Sequence, residues 1–290
     1  MKNQLKTIFL LGVLSAVLIG VGGTLGPGYL YGFTALAMLM NLGAYFFSDR
    51  LVLRISGAQE VTPEQAPALH RMVDELARRA HIPKPRVCII PEQHPNAFAT
   101  GRNPQHGVVA VTEGILRLLS ERELRCVLAH EIAHIKNRDI LVSTIAAAIA
   151  AAVSYIANAL SFAAFFGGGN QEGEGDEGSE GNGLLLALVA PLLAMLVQMG
   201  ISRAREYMAD ETGARVSGDP EALASALAKL AQGAEAIPMH APQPATASLF
   251  IVNPLTGRSS IMNWLSTHPP MDERIRRLRA MTRQWQRVAA

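Results

Sequence analysis

The sequence predicts a mainly α-helical chain with a small mixed β-sheet and helical hairpins of membrane-spanning length. Three observations carry that expectation. The runs Thr7 to Gly26, Gly28 to Phe47, Ile140 to Phe166 and Leu184 to Ile201 are uncharged and apolar, each near the roughly 20 residues that cross a bilayer. Short β-type stretches cluster between positions 86 and 112. A helical run opening at Ser120 carries His130-Glu131-x-x-His134, a spacing that puts two imidazoles on one helix face.

Composition agrees. Charged residues make up only 17% of the 290 and the mean hydropathy is +0.20, as in chains that place part of themselves in lipid. The net charge of +2 is too small to argue for nucleic acid, and no basic stripe with interleaved aromatics is present. Cys88 and Cys126 are too few for a disulfide scaffold and lie in no C-x-x-C. Cys126, one turn before His130, reads as a small buried helix residue.

In chain order, residues 1–48 form an expected transmembrane hairpin. Its two apolar runs are joined by a short turn at Pro27. The positive-inside rule puts Lys2, Lys6, Arg50 and Arg54 together on the cytoplasmic side. Residues 49–139 read as the first half of a soluble domain. Thr62-Pro63-Glu64-Gln65 looks like an N-cap with proline at N1, opening a helix to about Ala80 with Leu69, Met72, Val73 and Leu76 on one face. Arg86 to Ile90, Asn96 to Gly101 and His106 to Thr112 are the β-type stretches. An extended peptide could add itself to an open edge of such a sheet.

Ser120 and Glu123 have the capping-box form, so a helix starts just ahead of His130 and runs through it toward the apolar run at Ile140. Residues 140–202 form a second apolar hairpin around a Gly-rich acidic loop, 167–183. That loop carries Glu172, Glu174, Asp176, Glu177 and Glu180, a composition of disordered segments. An acidic loop without Lys or Arg fits the outer side, and Arg203 with Arg205 fits a return to the cytoplasm. Residues 203–290 form the second half of the soluble domain, with helices expected from Gly218-Asp219-Pro220 and from Met271 to about Val288. His70, His81, His94, His106 and His240 have no partner spacing and read as surface or loop residues.

The motif at 130–134 is a zinc pattern. A zinc ion that does chemistry takes three protein ligands and leaves one position open. His130 and His134 supply two. A third histidine in the metzincin spacing is excluded, because the required positions hold Asn137 and Ile140. A Glu from a later helix remains, and Glu206 is the best candidate. Glu211 competes but points about 140° around the helix from Glu206. Asp210, one turn after Glu206, could hold the outer nitrogen of a histidine ligand. Glu131 stands where a carboxylate takes a proton from water activated by the metal. His268, at a Pro-Pro turn, could donate a hydrogen bond to an oxyanion, and Arg274 could do the same or position the substrate.

Taken together, H-E-I-A-H at 130–134, R-E-Y-M-A-D at 205–210, S-T-H-P-P at 266–270 and P-N-A-F-A-T-G at 95–101 resemble the HtpX heat-shock membrane metalloproteases. These are bacterial relatives of the CAAX prenyl protease. The resemblance covers essentially the whole chain. It implies a gluzincin-type zinc endopeptidase of the bacterial cytoplasmic membrane, multi-pass, with its catalytic domain in the cytoplasm. It implies one Zn2+ per chain, held by His130, His134 and Glu206 with Glu131 as base. It further implies damaged or misfolded membrane proteins as substrates, in quality control alongside other membrane proteases. Asn96 falls where that family places its substrate-binding strand. The acidic loop is richer in Gly and Glu than the family pattern. Two rival readings are a membrane chaperone that binds clients without cleaving them and a prenyl-protein processing enzyme.

Overall fold

The computed structural model describes residues 27–141, 143–145, 203–237, 249–251 and 269–289, with positions 12, 15, 16, 19 and 23. The rest of the first apolar run, the acidic loop, the run 184–201 and His268 lie outside the described residues.

Helix α1 (Pro27–Ile55) starts on a proline suited to the first turn and runs beyond the expected end at Phe47. No Gly or Pro interrupts Phe47 to Ile55, and the chain turns only at Gly57, whose φ is 65°. Many of its apolar side chains in the first half face outward: Tyr31 is 80% exposed, Leu39 69% and Met38 65%. Among the described residues no single helix is long and apolar enough to cross a membrane. Tyr31–Gly43 and Tyr45–Ile55 qualify together, bent by 64°. Asn41 Nδ2 donates to Ser15 Oγ at 2.7 Å, so the first two apolar runs touch.

Helix α2 (Pro67–Ala80) begins later than the sequence suggested. Thr62 does not cap it. Thr62 to Ala66 close a separate turn through the Thr62 carbonyl, and Pro67, not Pro63, occupies the first turn. The apolar face is as expected, with Leu69, Met72, Val73 and Leu76 buried. The helix ends at His81 in a left-handed conformation, φ 58°.

The sheet is mixed, in the order β1-β2-β4-β3, from β1 (Gln59–Glu60), β2 (Arg86–Ile90), β3 (Ala97–Thr100) and β4 (Val108–Thr112). Strand β2 runs parallel to β4, with Cys88 opposite Ala110, and β3 runs antiparallel to β4, with Phe98 opposite Ala110. His106 belongs to a 3-10 turn ahead of β4 rather than to the strand, because Asn103 Oδ1 accepts from its N–H. Alternation divides the sheet between two cores. Val87, Val109, Val111, Ala97 and Ala99 face the helices. Cys88, Ile90, Phe98, Val108 and Ala110 face Val52 and Leu53 of α1 and Phe250.

After a short helix α3 (Glu113–Leu118), helix α4 (Glu121–Lys136) carries the histidine motif. The capping box at its start is present as read: Ser120 accepts from the Glu123 N–H, and Glu123 reaches back to Ser120. Its other end differs. The helix stops at Lys136 instead of running on into the apolar run, and Arg138 takes a left-handed φ of 56°. Helices α5 (Arg203–Ser217) and α6 (Pro220–Ala236) follow, the latter capped by Asp219, and α7 (Met271–Ala289) closes the described chain. Helix α4 is the hub: it packs on α2, α5, α6 and β3. Cys126 is buried on α4, bonded to the Asp219 carbonyl. His70 and His94, read as surface or loop residues, are buried and bonded to the carbonyls of Val61 and Ile237; His94 does sit in the loop ahead of β3.

Candidate metal centre

Helix α4 fixes His130 and His134 on one face, one turn apart. Helix α5 crosses that face at Gly213. A Cβ there would stand 2.8 Å from the backbone N and Cα of His130, so only glycine permits this approach. The contact brings Glu206, two turns earlier on α5, over the two histidines. Glu206 Oε1 lies 3.5 Å from His134 Nε2 and Oε2 lies 3.8 Å from His130 Nε2. One ligand atom from each of the three residues lies within 4.8 Å of the others.

The histidine tautomers follow from their outer nitrogens. His130 Nδ1 is 3.0 Å from Asp210 Oδ1, and His134 Nδ1 is 3.1 Å from both oxygens of Asp139. A carboxylate at Nδ1 keeps the proton there. The two Nε2 atoms face each other at 3.2 Å, with Arg274 Nη2 3.4 Å from that of His130, and a metal ion between them would take a lone pair from each. Charge favours the same ion. Four buried carboxylates (Glu131, Asp139, Glu206 and Asp210) stand against two buried guanidiniums, Arg205 and Arg274. The carboxylates outnumber the guanidiniums, a surplus that His134 meets in part by holding a proton and that a metal ion would meet instead. His-His-Glu is also a ligand set that suits zinc at a site with one open position. The residues fit the ion.

Electrostatics at the site is steep. Burial disfavours a charged His134, yet the Asp139 carboxylate beside it, with Glu206 and Glu131, pushes its imidazole up to about 10. Burial raises Glu131 above the usual carboxylate range, toward a proton acceptor that can also give the proton back. Burial likewise works against the Asp210 charge, but Arg274 overcomes it and holds that carboxyl low. The partly open cavity at the centre measures about 30 Å³, room for about one water. His130, Glu131, His134, Glu206, Arg205 and Ala99 contribute to its wall.

Two expected substrate contacts are placed elsewhere. Arg274 is fully buried and does not line the cavity. Its Nε and Nη2 clamp Asp210 at 2.8 and 2.7 Å, and its Nη1 is 3.4 Å from Glu206. It therefore braces the acidic side of the site. Asn96 is buried at the head of β3, where its Oδ1 accepts from the Ala97 N–H and its Nδ2 lies 3.3 Å from His94. The strand residue that reaches the cavity is Ala99. Sequence reading missed Asp139 and Arg205. The signal for Asp139 was an acid just past the helix end, after Asn137 and Arg138, where a reversal aims it back at His134.

Peptidase family M48 matches residues 63–282. The chain belongs to that family. It is a metalloprotease, a hydrolase of peptide bonds, and its M48 segment contains all of His130, Glu131, His134 and Glu206. A protein named Protease HtpX homolog from Syntrophobacter fumaroxidans is 52% identical over 97% of this chain and 100% of its own length. One of the same name from Pelotomaculum thermopropionicum is also 52% identical, over 96% and 99%. Among solved structures, Ste24p of S. mikatae superposes with a TM-score of 0.52 at 18% identity, covering 96% of this chain. This M48 chain spans only 65% of the Ste24p length, so the likeness concerns the fold.

Proposed function

We propose that the chain is a zinc-dependent endopeptidase of the bacterial cytoplasmic membrane, cleaving damaged or misfolded membrane proteins near the inner leaflet. The observation that carries the zinc reading is the pair of Nε2 atoms facing each other at 3.2 Å, each ring with a carboxylate about 3 Å from its outer nitrogen. His130, His134 and Glu206 would hold the ion. When bound there, zinc makes water acidic near neutrality and polarises a carbonyl as a Lewis acid.

Glu131 accepts the proton of the attacking water and passes it to the leaving amine. Burial raises its affinity for that proton, which favours the first transfer. Arg274 and Asp210 hold His130 in place, and Asp139 holds His134. The membrane placement draws support from the exposed apolar side chains of α1, the Asn41–Ser15 contact and the low charge content. The basic residues flanking the apolar runs support a site on the cytoplasmic side.

The chemistry is tested by Glu131→Gln with casein as substrate. The variant should retain zinc and lose cleavage by a factor on the order of 10³ or more. Cleavage at the wild-type rate would contradict the mechanism. A chaperone that never cleaves would leave casein intact in the wild type too, with or without chelator.

A further inference from the structure

The wall of the metal cavity holds a cation with no role in the scheme above. Arg205 is only 6% exposed and lines the cavity with Ala99, Ser143 and Glu206. Among the described residues its Nη1 has no hydrogen-bond partner. A buried donor left unused costs about 1–3 kcal/mol, so its retention beside the site calls for a partner that arrives. Burial also disfavours its charge, and only the through-space pull of Asp139 and Glu206 offsets this.

The other wall of the same cavity shows what could arrive. Thr112 N–H bonds to the Asn96 carbonyl, and antiparallel pairing alternates. Asn96, Phe98 and Thr100 therefore turn their backbone groups to β4, while Ala97 and Ala99 turn theirs to the open edge. Ile251 N–H already bonds the Ala97 carbonyl at 3.1 Å, and Phe250 stacks edge-on against Phe98 with ring centres 5.3 Å apart. Among the described residues the edge is thus closed at Ala97 and has no partner at Ala99. A peptide strand paired with Ala99 would turn the carbonyls of its neighbouring residues away from β3. Across the cavity stands Arg205.

We infer that Arg205 binds substrate: its guanidinium donates to a main-chain carbonyl of an extended peptide held on the other side by Ala99. The inference rests on the protease reading, and the test separates the two. In a Glu131→Gln background, binding of a dye-labelled casein peptide is measured at equilibrium, with and without Arg205→Lys, alongside zinc content and melting temperature. Lysine keeps the charge and loses the planar fork. The expected result is a roughly 10- to 100-fold weaker Kd with zinc unchanged. Arg205→Gln, which keeps a donor and loses the charge, should show a loss of similar size.

Equal affinity in both variants would overturn the inference. So would an affinity loss that tracks loss of zinc or of melting temperature, since Arg205 would then be holding the fold. Absence of casein cleavage by the wild-type protein would defeat the protease reading, while the binding comparison would still decide the role of Arg205.

Discussion

Asp139 shows how one side chain decides whether a two-histidine motif can hold a metal. Without it, His134 has no fixed tautomer and can present Nδ1–H or Nε2–H to the ion. Asp139→Asn should therefore weaken zinc affinity about 10- to 100-fold, measured by competition with a chelating dye, while the helix content stays unchanged. An unchanged affinity would remove Asp139 from the account. Asp139 was illegible in the sequence because its role depends on the left-handed turn at Arg138, a tertiary feature without a motif. Arg274 was misread for a related reason. An arginine on a basic, amphipathic stretch looks exposed, and only the packing of α7 against α5 reveals that it is buried on Asp210. His130, Glu131 and His134 were legible because their spacing is a helical one, which survives any packing, and Glu206 because it opens the first polar helix after the apolar run, one turn before Asp210.

At the scale of elements, the approach of α4 and α5 governs the site. Gly213→Ala should force the two helices apart at His130, destabilising the protein by about 1–3 kcal/mol and lowering zinc content. Urea unfolding with zinc analysis would check both. The start of α4 supplies a pH dependence. Glu123 is held down to about 2: burial opposes its charge, but Lys229, Ser225 and Ser120 all bond to it. Because the folded value lies below the ordinary 4.5, this stabilisation is present above about pH 4.5 and fades as pH falls toward 2. Glu123→Gln should accordingly lower the urea midpoint at pH 6, with the gap to wild type narrowing in that acid window. A gap that grows on acidification would contradict the assignment. Element starts with strong local chemistry, such as Ser120 and Asp219, were readable from sequence. The start of α2 was not, because Thr62-Pro63 and Ala66-Pro67 offer two prolines in competing frames and packing selects the second.

At the scale of the molecule, the site joins segments that the apolar stretch 140–202 separates. His130 and His134 precede it, Glu206 follows it, and α4 packs against α5 directly. An ion that bridges them stabilises the folded chain by mass action, so chelation should lower the melting temperature as well as abolish cleavage. At free zinc about 100-fold above Kd, the linkage is about 2.7 kcal/mol. The overall class, helices with a small mixed sheet, was legible from periodicity. The closure of the sheet edge by Phe250 and Ile251 was not, since the stretch around them shows no period.

The central claim is that His130, His134 and Glu206 together hold one zinc ion. Zinc per chain, measured by elemental analysis on purified wild type and Glu206→Ala, tests it most directly. The account predicts about one ion per chain in the wild type and a near-complete loss in the variant. Equal zinc in the two proteins would contradict it.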